Sequence, residues 1–223
     1  VFVEKPLCLS LIELNKIQIK VKKIINSKKS LPSLMVGFNR RFAPHIKKIK
    51  NLLGELTGPK SFVMTVNAGV LPNDHWTKDS EIGGGRIIGE VCHFIDLLRF
   101  LSGSKIKSWS KILMENDSKD TISIQLMFSD GSIGTIHYFA NGSRKFPKER
   151  LEIFSSGKIL QMDNYRTLKG FGWPNFKKMV LWKQDKGHQA CVKAFIDGIK
   201  FKQTPPIPLE ELLEVSKVSI ELV

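Results

Sequence analysis

Residues 83–103 read GGGRIIGEVCHFIDLLRFLSG, and the organisation of the chain follows from this stretch. Three glycines open it and permit a backbone approach that no Cβ would allow. From Arg86 the period is helical: at about 100° per residue Ile87, Ile88, Val91, Phe94, Ile95, Leu98 and Leu101 share one broad apolar arc. Arg86, Glu90 and His93 fall on the other side with Asp96 at its edge, and Ser102-Gly103 supplies the stop. Such a stripe is either a solvated face or a site. The chain is rich in lysine but has none between Lys78 and Lys105, so this face of Arg, Glu, His and Asp differs from the rest of the surface and marks a candidate site.

Upstream, Val1-Phe2-Val3 reads as the interior of a strand with no initiator Met, and the expectation is a protein that begins earlier. Glu4-Lys5-Pro6 ends that strand, with Pro6 holding Lys5 away from helix. Ser10 and Glu13 form a capping box, and the helix that follows turns Leu11, Leu14, Ile17, Val21, Ile24 and Ile25 inward. Leu34–Phe38 is a second strand, running into Asn39-Arg40-Arg41. Strand, helix and strand at this spacing predict a βαβ unit of a parallel sheet, whose ligands gather beyond the carboxyl ends of the strands. Lys5 at such an end could hold a hydroxyl or polarise a carbonyl; as a lone lysine it could equally be solvated. Arg40 and Arg41 either face the same crevice or anchor the following loop.

A helix over Pro44–Leu53 and a strand over Ser61–Asn67 follow, then a polar loop with His75 and Trp76 that leads into the glycine-rich helix. Short β-like segments cover Ser108–Met114, Thr121–Phe128, Ser132–Phe139, Leu151–Ser155 and Ile159–Met162, with Asp130-Gly131 as a hairpin turn between two of them. Trp173–Trp182 is ambiguous, and Gly187–Ile199 and Leu209–Val223 read as helices. The fold class is α/β followed by α+β: the end of a parallel domain over residues 1–41, then, over residues 42–223, a domain with a largely antiparallel open sheet and flanking helices.

With 223 residues, 42% hydrophobic and 25% charged, the composition is that of an ordinary globular protein. No run approaches the ~20 apolar residues of a membrane helix. Cys8, Cys92 and Cys191 form neither a disulfide framework nor a zinc pattern, which points to a reducing cytoplasm. The net charge of +14 is uneven: residues 1–60 hold 13 Lys or Arg against 3 Asp or Glu, whereas residues 61–140 hold 7 against 9. Nucleic-acid recognition by stacking wants interleaved aromatics, and the basic segment has only Phe2, Phe38 and Phe42, so no nucleic-acid partner is expected. The histidines include no helix-spaced pair, so no metal is expected. Gly83, Gly85 and Gly89 do not make a dinucleotide fingerprint, because the spacing is GxGxxxG and a polar loop precedes it. His93 could serve as general acid or base, oriented by Glu90 and Arg86.

Glu4-Lys5-Pro6, Val36–Phe42, Trp76 with Asp79, and Gly84-Gly85 with His93 and Asp96 together resemble the Gfo/Idh/MocA family of NAD(P)-dependent oxidoreductases. The resemblance implies that residues 1–41 are the C-terminal remnant of a dinucleotide-binding Rossmann domain. The main NAD or NADP site would then lie upstream, and residues 42–223 would form the substrate and oligomerisation domain. It implies catalytic roles for Lys5, His93 and Glu90, substrate contacts for Arg41, Trp76, Arg86 and Asp96, and cofactor contacts for Glu4, Lys5, Pro6 and Arg40. Many relatives carry Asp where this chain has Gly89, and Glu90 could substitute. The glycine-rich run also resembles bidomain oxidoreductases of polysaccharide synthesis. The implied activity is hydride transfer between nicotinamide and a hydroxyl-bearing carbon of a sugar or nucleotide sugar. The alternative is a non-catalytic binding or assembly module that keeps the fold. Homo-oligomers through the open sheet are expected.

Overall fold

Phe2–Val3 (β1) and Met35–Val36 (β2) pair in parallel, Phe2 opposite Met35 and Val3 opposite Val36, with helix α1 (Leu11–Asn26) between them in sequence. The computed structural model describes residues 1–27, 31–71, 84–115 and 119–223. Trp76, with His75, Asp79 and Gly83, lies outside the described residues. Ser10 caps α1 by accepting the Glu13 N–H at 3.2 Å, and the Glu13 carboxylate reaches back to the Leu9 N–H at 2.8 Å. The inward stripe expected for α1 is only partly buried. Leu14 is enclosed, whereas Leu11 and Ile25 are exposed. α1 packs against α5.

After β2 a 3-10 turn (Asn39–Phe42) leads into α2 (Pro44–Gly54), whose first residue is proline, where the missing N–H costs nothing. β3 (Ser61–Asn67) alternates buried and half-buried residues as a one-sided strand should. The glycine-rich stretch forms a π turn (Ile87–Val91) continuing into α3 (Cys92–Ser102), closed by Gly103 in the left-handed conformation with φ 72°. There follow β4 (Ile106–Leu113), β5 (Ile122–Phe128), β6 (Ile133–Phe139), β7 (Glu149–Ser155), β8 (Lys158–Asp163), β9 (Thr167–Phe171), β10 (Lys178–Val180), α4 (His188–Lys200) and α5 (Leu209–Glu221). β9 and β10 were not distinct in the sequence pattern, being short, lysine-bearing and interrupted by Gly170.

The large sheet runs β10-β9-β8-β7-β3-β6-β5-β4 and is antiparallel except where β3 lies parallel to β6. This is the largely antiparallel open sheet with flanking helices that the sequence predicts. One face is covered: Met64, Val66, Ile124, Ile136, Tyr138 and Leu151 meet Phe94, Leu97, Leu98 and Leu101 of α3 in a single core. α3 approaches β6 so closely that a Cβ on Gly134 would stand 2.9 Å from Leu98 Cδ1. α3 is thus the central element, buried on its polar as well as its apolar side: His93, Asp96, Arg99 and Ser102 are all enclosed. Among the described residues no helix is long and apolar enough to cross a membrane.

Candidate active site

The backbone enters the π turn through Gly84 and Gly85, both at positive φ (69° and 71°). A Cβ on Gly84 would lie 2.6 Å from Leu9 Cδ2, so the segment after β1 presses directly on the start of this helix. A π turn disturbs the regular helical ladder, and such turns gather at functional sites. Here the Gly89 carbonyl accepts a 2.6 Å hydrogen bond from Lys5 Nζ. Lys5, at the end of β1, is therefore held one turn ahead of His93, and its other two N–H donors have no partner among the described residues.

His93 is buried, its ring edge-on to Phe38 at 6.1 Å, and its Nδ1 has no hydrogen-bond partner among the described residues. Burial drives its pKa well below the ordinary 6.5, and the charges of Arg40, Lys5, His188 and Lys148 push the same way. The imidazole is neutral at neutral pH and lies in a positive field. Glu4 is also close to the end of the parallel strands: a Cβ on Gly37 would meet its Oε2 at 2.8 Å. The Lys5–Pro6 bond is cis.

Glu90, which could substitute for the Asp that many relatives carry where this chain has Gly89, has cationic neighbours. It pairs with Arg86 and Lys148, each at 3.3 Å. Burial opposes its charge, but Lys148 and Arg86 outweigh burial and hold the carboxyl below its usual range. Arg86 also donates to the carbonyls of Gly69 (2.9 Å) and Ala68 (3.2 Å) and lies 3.6 Å from Asp120. It fastens the π turn to the exit of β3.

Three residues that the sequence assigns to ligand contacts are committed elsewhere. Arg40, expected at the cofactor, donates Nε and Nη2 to Glu149, both at 2.9 Å, under the ring of Phe94. Arg41 and Asp96, expected at the substrate, bond each other through Nε and Nη2 at 2.6–3.0 Å, with Glu211 on Arg41 Nη1 at 2.5 Å. Asp96 is fully buried, and burial raises its carboxyl to about 6 despite Arg41 against it. These ion pairs anchor the 3-10 turn to α3, β7 and α5, which is the anchoring reading of Arg40 and Arg41. The sequence left this open because both arginines follow a strand end and their partners lie more than 50 residues away.

A cleft of about 340 Å³ opens beside Glu90, lined by Asn67, Arg86, Arg144, Phe146 and Lys148 among others. Arg144, Phe146 and Lys148 come from the β6–β7 connection and belong to no motif. Only the parallel β3–β6 and antiparallel β3–β7 pairings bring that connection over the π turn. Lys148 lines the cleft, and its charge adds to the lowering of the His93 pKa. Among the described residues no three His, Cys, Asp or Glu side chains are gathered as a metal site would require.

Residues 48–160 match the family model for the GFO/IDH/MocA C-terminal domain. The chain is similar, at 30% identity over 176 residues, to the uncharacterized oxidoreductase YrbE of Bacillus subtilis, covering 74% of this chain and 49% of that protein. It is 25% identical over 229 residues to myo-inositol 2-dehydrogenase of Thermotoga maritima, covering 95% and 65%. The chain spans about half to two thirds of the length of these curated relatives. Among solved structures, a dehydrogenase (MviM) from Clostridium difficile matches with TM-score 0.73 and 27% identity over 99% of this chain and 69% of that one. UDP-N-acetylglucosamine 3-dehydrogenase GnnA from Acidithiobacillus ferrooxidans shares the fold with TM-score 0.77 at 15% identity, over 99% and 68%.

Proposed function

The chain belongs to the GFO/IDH/MocA oxidoreductase family, and from that premise we propose that it is the substrate-handling part of an NAD(P)-dependent enzyme that oxidises a hydroxyl-bearing carbon of a sugar or nucleotide sugar, or reduces the matching carbonyl. Residues 1–41 contribute the edge of the dinucleotide-binding domain and residues 42–223 the substrate domain. The observation that carries this reading is the placement of Lys5 Nζ on the Gly89 carbonyl, one turn before a neutral, buried His93 whose Nδ1 has no partner among the described residues.

In this mechanism the free N–H donors of Lys5 hold the substrate oxygen. His93 accepts the hydroxyl proton as the carbon–oxygen double bond forms. The cations that depress His93 also stabilise negative charge developing on that oxygen, so the field favours the alkoxide more than the imidazolium. When bound, the oxidised nicotinamide supplies the acceptor for the hydride leaving the carbinol carbon. Of this chain's residues, Glu4, Lys5 and Pro6, at the carboxyl end of β1, would border it. Arg40, Arg41 and Asp96 act as positioning residues, and Arg86 and Glu90 shape the wall nearest the cleft. The test is cofactor reduction by the complete protein across a panel of sugars and nucleotide sugars. Replacement of His93 by Ala should lower kcat by about 10²–10⁴. Near-normal turnover by His93→Ala on the preferred substrate would refute the assignment.

A further inference from the structure

We propose that the cleft beside Glu90 is a phosphoryl-binding subsite, in which Arg144 and Lys148 hold the phosphate of a sugar phosphate or nucleotide sugar while the sugar reaches His93. The proposal rests on the oxidoreductase reading for its sugar and on the cleft for its phosphate.

The rim is a built structure. Asn67 Nδ2 donates to the carbonyls of Ser143 (2.7 Å) and Phe146 (3.3 Å), which ties the β6–β7 connection to the end of β3. A Cβ on Gly142 would fall 2.1 Å from Asn67 Oδ1, so this tie requires glycine there. Gly69, at φ 71°, lies between two guanidinium side chains. Its carbonyl accepts Arg86 Nη1 at 2.9 Å, and a Cβ would stand 2.7 Å from Arg144 Cγ. Arg144 therefore lies against bare backbone, aligned along the cleft wall.

The charge balance favours an anion. Among the described residues Glu90 is the one carboxylate lining the cleft, and it is already shared between Arg86 and Lys148. Arg86 is further matched by Asp120. Arg144 has no ion-pair partner among the described residues, and Lys148 retains two of its three donors. A guanidinium fork beside an ammonium is the donor set that phosphoryl oxygens accept. Phe146, 66% exposed on the same rim, offers a flat apolar face for a nucleobase or a pyranose ring.

The experiment is calorimetric titration of this chain with glucose, glucuronate, glucose 1-phosphate and UDP-glucose at low salt, repeated for Arg144→Gln/Lys148→Gln and for the neighbouring surface variant Lys145→Gln. At least tenfold tighter binding of the phosphorylated ligands than of glucose is expected. The double variant should abolish this difference, and Lys145→Gln should change it less than twofold. Whether glucose 1-phosphate suffices or UDP-glucose is needed identifies the source of the phosphoryl group, and either result supports the subsite. Binding of both glucose 1-phosphate and UDP-glucose no tighter than that of glucose, glucuronate binding as well as the tighter of the two phosphorylated ligands, or an undiminished preference in the double variant overturns it. Turnover by the complete protein separates the two levels. Oxidation of neutral sugars with exclusion of phosphorylated ones removes the subsite and leaves the oxidoreductase. Phosphoryl-dependent binding without oxidation of any sugar leaves the subsite and removes the oxidoreductase.

Discussion

The Glu149 carboxylate, fully buried at the start of β7, receives Arg40 through two 2.9 Å hydrogen bonds and Lys186 at 2.6 Å. Burial alone would raise its pKa; Arg40 and Lys186 outweigh burial and hold it down to about 2, against an ordinary 4.5. The unfolded chain therefore takes up a proton that the folded one refuses as the pH falls from 4.5 toward 2. Stability from this group is full above about 4.5 and is lost across that window. His93 has the same sign at higher pH: its folded pKa lies well below 6.5, so its contribution is present above about 6.5 and declines as the pH drops below it. Asp96 has the opposite sign. With its pKa raised from 3.8 to about 6, its contribution is present below 3.8 and is lost as the pH rises through 6. Replacing Glu149 by Gln strands Arg40 and Lys186 in the interior and should cost about 3–5 kcal/mol. Urea melts at a series of pH values should give a variant that is less stable at pH 7 and flatter than the parent between pH 4.5 and 2. An unchanged midpoint at pH 7 would show that Glu149 does not anchor the turn.

Among the elements, the start of α4 depends most strictly on one backbone position. Gly187 caps the helix at φ 82°, and a Cβ there would lie 2.5 Å from Ala43 N and Asn39 O and 2.6 Å from Phe42 C, all of them main-chain atoms. Asn39 Nδ2 donates to the Lys186 carbonyl and the Gly187 N–H to the Asp185 carboxylate, each at 2.7 Å, so the Asn39 side chain ties the 3-10 turn to the start of α4. Gly187→Ala combines left-handed strain with overlap that no side chain can relieve, and a loss of about 2–5 kcal/mol is expected in thermal or urea unfolding. A loss under 0.5 kcal/mol would contradict this packing. Other elements were legible where a single local rule governed them: the Ser10–Glu13 cap, the alternation of β3, the Asp130-Gly131 hairpin and the helical period from Arg86. Features set by tertiary packing were not. Nothing local distinguishes Leu11, which is exposed, from Leu14, which is buried. The Lys5 contact runs to the main-chain carbonyl of Gly89, which no side-chain pattern can announce, and the cations at 144 and 148 acquire meaning only through the pairing of β3 with β6 and β7.

At the scale of the molecule, the second face of the large sheet has a division that the strand register makes explicit. Across one end the aligned outward residues are Phe171, Ile159, Phe154, Ser61, Ile133 and Met127, a row over six strands that is apolar except at Ser61. The next rows are polar, with Gln161 bonded to Glu152 and Ser123 to His137. Phe171, Phe154, Ile133 and Met127 are all exposed, and an apolar strip broken at one serine on a charged protein is a candidate interaction surface. A net charge of +14 opposes association at long range, so contact must come from this row. A two-fold pairing that lays the row upon itself is the arrangement it fits. Self-association is therefore expected to strengthen as salt screens the repulsion, contrary to the behaviour of an ion-paired interface. Sedimentation equilibrium should find dimers or larger species that increase between low and moderate salt. Ile133→Asp/Phe154→Asp should give monomers whose melting temperature stays close to the monomeric limit of the parent, because neither side chain enters the core. A parent chain that sediments as a monomer at high micromolar concentration, at every salt concentration tried, would leave the row without this role.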